Sequence, residues 1–337
     1  MTRFLCSDYF RMVIAISGKK DLNNGLHVIE GNGGSTNYRS MAVSGTLMLR
    51  KDQYASVFVY SHNDPAYVIH HESGFSCNRF ATKIGFHADK VATQGAKAKS
   101  WTSIKGFTTA GNTGLYSIGG GFSGSTGLYT APQTGTYFCA ALMRLDHAKK
   151  QANNPGTFEL TLTLQGSVDK NNGFYAIEGN SRSQNYLSMG VSGTIHLSKG
   201  ANIGVSVFTS STTSFQIQSE SGFSCHMMLT AIGFHASVYT KQQFSAGWSM
   251  LKGWESKQSV NKELYALGGG TDNLLDGAYV APKTGYYICT TQVRLDSADK
   301  SSYFRVILAL NKNINLNHGN MNSRFALSTI LVFIPYI

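Results

Sequence analysis

Alternation of apolar and polar residues is the strongest pattern in this chain, and it predicts β-strands. In residues 158–164 the apolar side chains fall on even-numbered positions, and the polar side chains between them face the other side. This period of two is typical of a strand. Residues 10–16 and 304–310 show the same pattern. Windows rich in Ala, Leu, Glu and Lys with a helical period are missing, so we expect almost no helix.

Residues 127–139 predict a strand, a tight turn and a second strand, which together make a hairpin. Pro132 fixes φ and lacks an N–H, so it belongs at a strand end or in a turn. Gly135 supplies the permissive backbone that lets the chain reverse. The same device returns at residues 278–289. A hairpin that occurs twice, with Cys139 and Cys289 separated by 150 positions, indicates a tandem repeat.

Further matches give the repeat a period of about 148 residues. Residues 40–46 match 188–194, and residues 72–77 are identical to 220–225, both at an offset of 148. Another identical pair, also offset by 148, joins residues 84–88 to 232–236. The front half of the repeat is matched between the middle and the end of the chain. These matches join Trp101 to Trp248, residues 116–121 to 265–270, and residues 144–146 to 294–296.

These matches divide the chain into one complete and two partial copies. The complete copy is expected at 89–236, the back half of a copy at 1–88 and the front half of a copy at 237–312. The tail, 313–337, matches nothing upstream. Short strands at regular spacing, with Gly, Asn and Ser turns between them, indicate a β-sandwich. About ten strands per copy fit a double-sheet jelly roll.

The charge and hydrophobicity of the chain argue against nucleic-acid binding and against a membrane span. The net charge is +11, but the basic residues are scattered and no run of five Lys or Arg occurs, so we expect no nucleic-acid binding. No apolar span of 18 residues is present, so we expect no membrane span. A hydrophobic content of 42% is ample for a buried core.

The run from residue 112 to 138 resembles the signature of the complement C1q globular head domain family, which is C1q/TNF-like. The signature places an aromatic after a Gly, then a strand that ends in Ala131-Pro132, then Gly135 and the aromatics Tyr137 and Phe138. Residues 158–164, 191–203 and 229–234 sit where the family has its central strand, two later strands and its closing strand. The resemblance covers nearly the whole chain. It implies a jelly roll that trimerises, is secreted, and binds ligands rather than catalysing a reaction.

The resemblance also bears on the cysteines, because it puts Cys139 and Cys225 on neighbouring strands of one sheet. A disulfide there would contribute about 2–4 kcal/mol to a secreted domain, and two buried free thiols are the alternative. Cys77 and Cys289 hold the same positions in the partial copies. We hypothesise that the two half-copies complement each other into a second sandwich, closed by a Cys77–Cys289 pair. Cys6 has no counterpart in the repeat.

The alternative to complementation is that the half-copies result from a truncated or misjoined gene model. The unmatched tail favours it, and so does the missing signal peptide, because the apolar start of the chain matches a strand of the repeat. On this explanation the sequence is a fragment of a longer secreted protein.

Two acidic residues are candidate binding residues. Asp146 and Asp296 follow Arg-Leu in both copies, at a strand end before a loop. A loop acid can bind Ca²⁺, which takes oxygen ligands, and the resemblance implies calcium at this place in some relatives. A turn-capping Asp is the alternative. His87 and His235 hold equivalent strand-end positions and are expected to be structural.

We therefore expect an extracellular recognition module that binds protein or carbohydrate ligands, in the setting of innate immunity. A structural extracellular-matrix protein that assembles through its repeats is the alternative. A basic capsid-like jelly roll is disfavoured, because no basic arm is present. No constellation of nucleophile, base and orienting group recurs, so we expect no enzyme, and we expect no cofactor other than calcium.

Overall fold

The computed structural model describes seventeen stretches of the chain, and every regular element in them is a strand, which confirms the all-β class. These stretches are residues 9–22, 26–31, 42–61, 77, 80–111, 114–147, 156–179, 187–229, 232–238, 242, 249–256, 264–269, 276–280, 282, 291, 305–307 and 321–323. Among them, no helix has the length and apolar character that crossing a bilayer would require.

The strands fall into three groups along the chain. The first group is β1 (Tyr9–Ile16), β2 (His27–Gly31) and β3 (Ala55–Ser61). The second group is β4 (Gly85–Lys90), β5 (Gln94–Ala96), β6 (Thr102–Ser103), β7 (Phe107–Thr108), β8 (Tyr116–Ile118), β9 (Phe122–Ser123), β10 (Leu128–Thr130), β11 (Gly135–His147), β12 (Thr157–Leu164), β13 (Tyr175–Gly179), β14 (Leu187–Leu197), β15 (Asn202–Thr209), β16 (Phe215–Ile217) and β17 (Gly222–Met228). The third group is β18 (Gly233–His235), β19 (Ser237–Val238), β20 (Trp254–Glu255), β21 (Tyr265–Leu267), β22 (Arg305–Ile307) and β23 (Met321–Ser323).

The second group forms a jelly-roll sandwich of two antiparallel sheets. One sheet has the order β5-β16-β11-β17-β4-β7, with β14 also paired to β11 and β8 to β4. The other has the order β13-β12-β15-β10-β9, with β6 paired to β15. Inward-facing side chains of both sheets make one core, and its largest fully buried members include Phe86, Tyr129, Phe158, Phe215 and Phe223. The alternation in residues 158–164 therefore predicted the core-facing side of β12 correctly.

The predicted hairpin at residues 127–139 is wrong in its pairing. β10 pairs with β9 and β15, whereas β11 pairs with β14, β16 and β17, so the turn at Pro132 carries the chain from one sheet to the other. The left-handed residue is Gly127, with φ +71°, and not Gly135. A Cβ on Gly127 would lie 1.9 Å from the carbonyl oxygen of Ile104, so only glycine fits there.

The predicted bounds of the complete copy, 89–236, differ from those of the sandwich. The sandwich opens with β4 at Gly85 and closes with β17 at Met228. The segment predicted as the closing strand, 229–234, overlaps β18, which pairs with β21 and lies outside the two sheets. The matches give the period of a repeat but not its phase, because every starting point yields the same offsets.

The partial copies pair their strands in the register of their counterparts in the sandwich. Phe10 lies opposite Ser61 in β1–β3, as Phe158 lies opposite Thr209 in β12–β15. β18 and β21 likewise reproduce the register of β4 and β8. The described strands of the two partial copies share no sheet with each other, however, so the second sandwich predicted from their complementation is not found among the described residues.

Cys139 and Cys225 form a disulfide, as the resemblance implied. They lie directly opposite each other on β11 and β17, and both are fully buried. The second proposed pair, Cys77 with Cys289, is not formed, because Cys77 is a free and exposed cysteine. Cys77 also belongs to no strand. Cys289 and Cys6 lie outside the described residues.

We expect the double variant Cys139→Ala/Cys225→Ala to lose about 2–4 kcal/mol of unfolding free energy, because the disulfide closes a loop with a sequence separation of 86. Urea unfolding followed by circular dichroism measures this loss. Cys77→Ala is the matched control and should leave stability unchanged. Equal stabilities of wild type and the double variant would contradict the prediction.

Candidate functional site

Three aromatic side chains gather on the outer side of the sheet that contains β12, β13 and β15. Trp101 precedes β6, Tyr175 begins β13 and Phe208 lies in β15. All three are half-buried, and the ring centroids of Trp101 and Phe208 are 5.4 Å apart. Strand pairing holds Tyr175 and Phe208 in place, and Trp101 directly precedes the paired strand β6, so the three rings form a partly exposed aromatic surface on the sheet.

Lys170 places its ammonium group among these rings. The Nζ atom lies 5.7 Å from the ring of Trp101, 5.4 Å from that of Tyr175 and 5.9 Å from that of Phe208, which are cation–π distances. The same atom donates a hydrogen bond of 2.7 Å to Glu159 Oε2. The side chain of Glu159 is 8% exposed, whereas that of Lys170 is 50% exposed. The lysine therefore covers a buried carboxylate and leaves part of the aromatic surface open to solvent.

Asp146 was predicted to be a loop acid at a strand end, but it lies within β11 opposite Gln216, and an arginine holds its carboxylate. Arg144 Nη2 lies 3.2 Å from Asp146 Oδ2, and Arg144 also forms an ion pair with Glu220. Burial raises the pKa of Asp146 to about 6, although the Arg144 guanidinium beside it acts in the opposite direction. Asp296, its counterpart, lies outside the described residues.

Besides Arg144, the side chains of Glu220 and Gln218 interact with Asp146, and both carry oxygen atoms. The described residues contain no group of three or more His, Cys, Asp and Glu side chains placed to hold a metal ion. A calcium ion at Asp146 would also compete with the Arg144 guanidinium for the same carboxylate. Calcium binding at this position stays a prediction.

The first copy covers part of the outer face of the eight-stranded sheet. β2 lies against β11 and β14, and the N–H of Ile29 donates to Ser188 Oγ at 2.9 Å. Further along, the N–H of Thr46 donates to Ser224 Oγ at 3.3 Å. The sheet face that such contacts cover includes Phe138, Ala140 and Leu142, which are buried although they point away from the sandwich core.

Tyr116 is central to this contact. Its hydroxyl donates a hydrogen bond of 2.7 Å to Thr46 Oγ1 of the first copy and lies 2.9 Å from His226 Nδ1. The other ring nitrogen of His226 lies 3.1 Å from the carbonyl oxygen of Thr82, which can only accept a hydrogen bond. Burial raises the pKa of Tyr116 and lowers the pKa of His226, although the hydrogen bond of His226 to Thr82 acts in the opposite direction.

The sandwich contacts the third group of strands in a related way. Tyr265 donates a hydrogen bond of 2.6 Å to Thr194 Oγ1 on β14. His235 Nε2 donates to the carbonyl oxygen of Asn172 at 2.6 Å, and the His235 ring stacks on Phe174 with centroids 4.6 Å apart. His235, which the sequence predicted to be structural, therefore lies at a contact between copies.

His27 of the first copy is buried against the sandwich with two arginines near it. Its ring nitrogens have no hydrogen-bond partner among the described residues. Burial lowers the pKa of His27 to about 3, and the positive charges of Arg11 and Arg144 act in the same direction. A neutral imidazole at this position is thus part of the packed contact.

Sequence reasoning found only part of these sites. Trp101 was noted as a marker of the repeat, but nothing in the local sequence connected it to Lys170 or Tyr175. Tyr116 and Tyr265 were matched as equivalent positions, which is the signal that could have pointed to the contacts between copies. Asp146, the one of the two predicted binding residues that the structure describes, is not part of either the aromatic cluster or the tyrosine contacts.

Comparison of the chain with protein-family models finds no match, and comparison with curated proteins finds none either. Among solved structures, the chain is similar to the crystal structure of murine APRIL at pH 5.0, with 16% sequence identity. The match covers 43% of this chain and 98% of that chain, with a TM-score of 0.30. A likeness at this TM-score supports no conclusion about what this chain does.

We expect the stability of the chain to fall as the pH is lowered from about 6.5, the ordinary pKa of a histidine, towards about 3, the folded-state pKa of His27. In this window the unfolded chain takes up a proton that the folded chain excludes, so the contribution of neutral His27 is complete above the window and lost within it. Thermal unfolding measured from about pH 7.5 down to about pH 4 tests this.

The variant His27→Gln isolates the contribution of this residue. It removes the titrating group, so its stability should fall less steeply on acidification than that of the wild type. Parallel profiles for the two proteins would contradict the assignment.

Proposed function

We propose that this chain is a secreted recognition module of the C1q-domain kind, which binds protein or glycan surfaces and catalyses no reaction. The observation that carries the proposal is the cluster of Trp101, Tyr175 and Phe208, which presents aromatic surface on a rigid β-scaffold. Aromatic residues such as Trp and Tyr are enriched where proteins bind their partners, because one ring supplies both apolar area and a polar group.

The disulfide supports the secreted part of the proposal. Disulfides persist in oxidising compartments and are rare where thiols are kept reduced. The Cys139–Cys225 bond is buried in the core, so it suits a protein that folds where such bonds form. We also propose a role in innate immunity, and this part of the proposal rests on the family resemblance alone.

The resemblance also suggests a homotrimer, and we include this in the proposal. The molar mass of the purified chain in solution tests it directly. A mass of one chain at all concentrations would remove the homotrimer and leave the ligand-binding proposal standing.

A structural extracellular-matrix protein is the second candidate function. The contacts between copies favour it, because Tyr116 and Tyr265 both join one copy of the repeat to another. In such a protein, assembly of the copies would be the function, and the aromatic cluster would have no ligand.

We expect the full chain to bind immobilised glycans of the bacterial cell envelope, with peptidoglycan and lipopolysaccharide as the probes. Trp101→Ala should weaken this binding by about tenfold or more, because it removes the largest ring of the cluster. Surface plasmon resonance measures the affinity, and circular dichroism confirms that the variant is folded.

Tyr54→Ala is the matched control, since Tyr54 is an exposed aromatic residue of the first copy, outside the cluster. It should bind like the wild type. Equal losses in both variants would remove the cluster as the contact surface. Absence of binding to every glycan and protein probe tried would favour the structural candidate.

A further inference from the structure

Two tyrosine–threonine contacts in the chain involve equivalent residues of the repeat. Tyr116 of the sandwich meets Thr46 of the first copy, and Tyr265 of the third group meets Thr194 of the sandwich. Thr194 lies 148 positions after Thr46, and Tyr265 lies 149 positions after Tyr116. The same pair of side chains is therefore used twice, each time between one copy and the copy before it.

The strands that present the tyrosines are also equivalent. Tyr116 on β8 lies opposite His87 of β4, and Tyr265 on β21 lies opposite His235 of β18. The two threonines differ in their local structure, because Thr194 lies within β14 whereas Thr46 belongs to no strand. The same pair of side chains therefore meets although the backbone around the threonine differs between the two contacts.

We propose that successive copies of the repeat dock head to tail through one seam, in which the tyrosine of each copy pairs with the threonine of the copy before it. The seam consists of the Tyr–Thr hydrogen bond and the sheet face around it. The partner that this face is built to bind is thus a neighbouring copy of the same repeat. This inference deepens the second candidate function and is independent of any ligand of the aromatic cluster.

The chemistry of the seam explains why it selects one alignment of the copies. Burial raises the pKa of Tyr265 to about 12 and raises that of Tyr116 as well, so both hydroxyls keep their protons. A buried hydroxyl that loses its partner is costly, so a shifted alignment of two copies would be penalised. The contact is also directional, because the tyrosine belongs to the front half of a copy and the threonine to the back half, which makes the interface heterologous.

Hydrogen exchange of the full chain, followed by mass spectrometry, tests the seam. Thr46→Arg inserts a long charged side chain opposite Tyr116 and should speed exchange in β1 and β2 by about tenfold or more, while β12 and β15 keep their protection. Thr194→Arg should do the same to β18 and β21 and leave β1 and β2 unchanged.

Ser117→Arg is the matched control, because Ser117 is exposed and adjacent to Tyr116 on β8. It should leave all regions unchanged. The milder variants Tyr116→Phe and Tyr265→Phe should each affect only their own seam, which covers the case that an arginine disturbs β14 itself. Unchanged exchange of β1 and β2 in Thr46→Arg, or equal loss of protection throughout the sandwich, would overturn the proposal.

The hydrogen-exchange experiment tests the seam and the glycan-binding experiment tests the aromatic cluster, so either proposal can be rejected without the other. Loss of protection in the threonine variants with normal glycan binding would support the seam and keep the recognition function. Normal protection in those variants would reject the seam without touching the aromatic cluster.

Discussion

Burial of β11 on both of its faces is the constraint on which the rest of the structure depends. This strand of 13 residues pairs with β14, β16 and β17. Tyr137, Cys139 and the alternate residues beyond them face the sandwich core, whereas Phe138 and its alternates face the first copy. A strand that is apolar on both sides needs a cover on both sides. The sandwich supplies one cover and the preceding copy supplies the other, so the stability of one copy is coupled to the placement of its neighbour.

The fold class could be predicted because alternation and repetition are properties of the sequence itself. The core-facing side of β12 could be predicted from the apolar side chains of residues 158–164. The equivalent strand β1 of the first copy pairs with β2 in the register in which β12 pairs with β13. The phase of the repeat and the pairing around Pro132 could not be predicted, because both depend on which sheet a strand joins. The sequence of a turn between two strands does not show whether the strands pair with each other or lie in opposite sheets. Only the positions of β14 and β15 decide between these alternatives.

The candidate sites were less accessible to sequence reasoning for a related reason. The Cys139–Cys225 disulfide followed from a family resemblance that orders the strands. The Lys170 cluster draws on residues from Trp101 to Phe208, so it exists only after the sheets have formed. Asp146 stood out in the sequence because it recurs, yet its carboxylate is occupied by Arg144, a residue of the same recurring triplet. Recurrence marked both the structural ion pair and the tyrosine contacts, and it did not distinguish between them.

The directional contact between Tyr116 and Thr46 has a consequence for how such a chain can grow. A duplicated segment of one full period brings with it both the donor of the next junction and the acceptor of the last, wherever the cut in the gene falls. Lengthening the array then requires no new complementary surface. A substitution of one tyrosine or one threonine, by contrast, weakens a single junction and leaves the other junctions intact. The junctions therefore stay alike only if the equivalent residues of all copies change together.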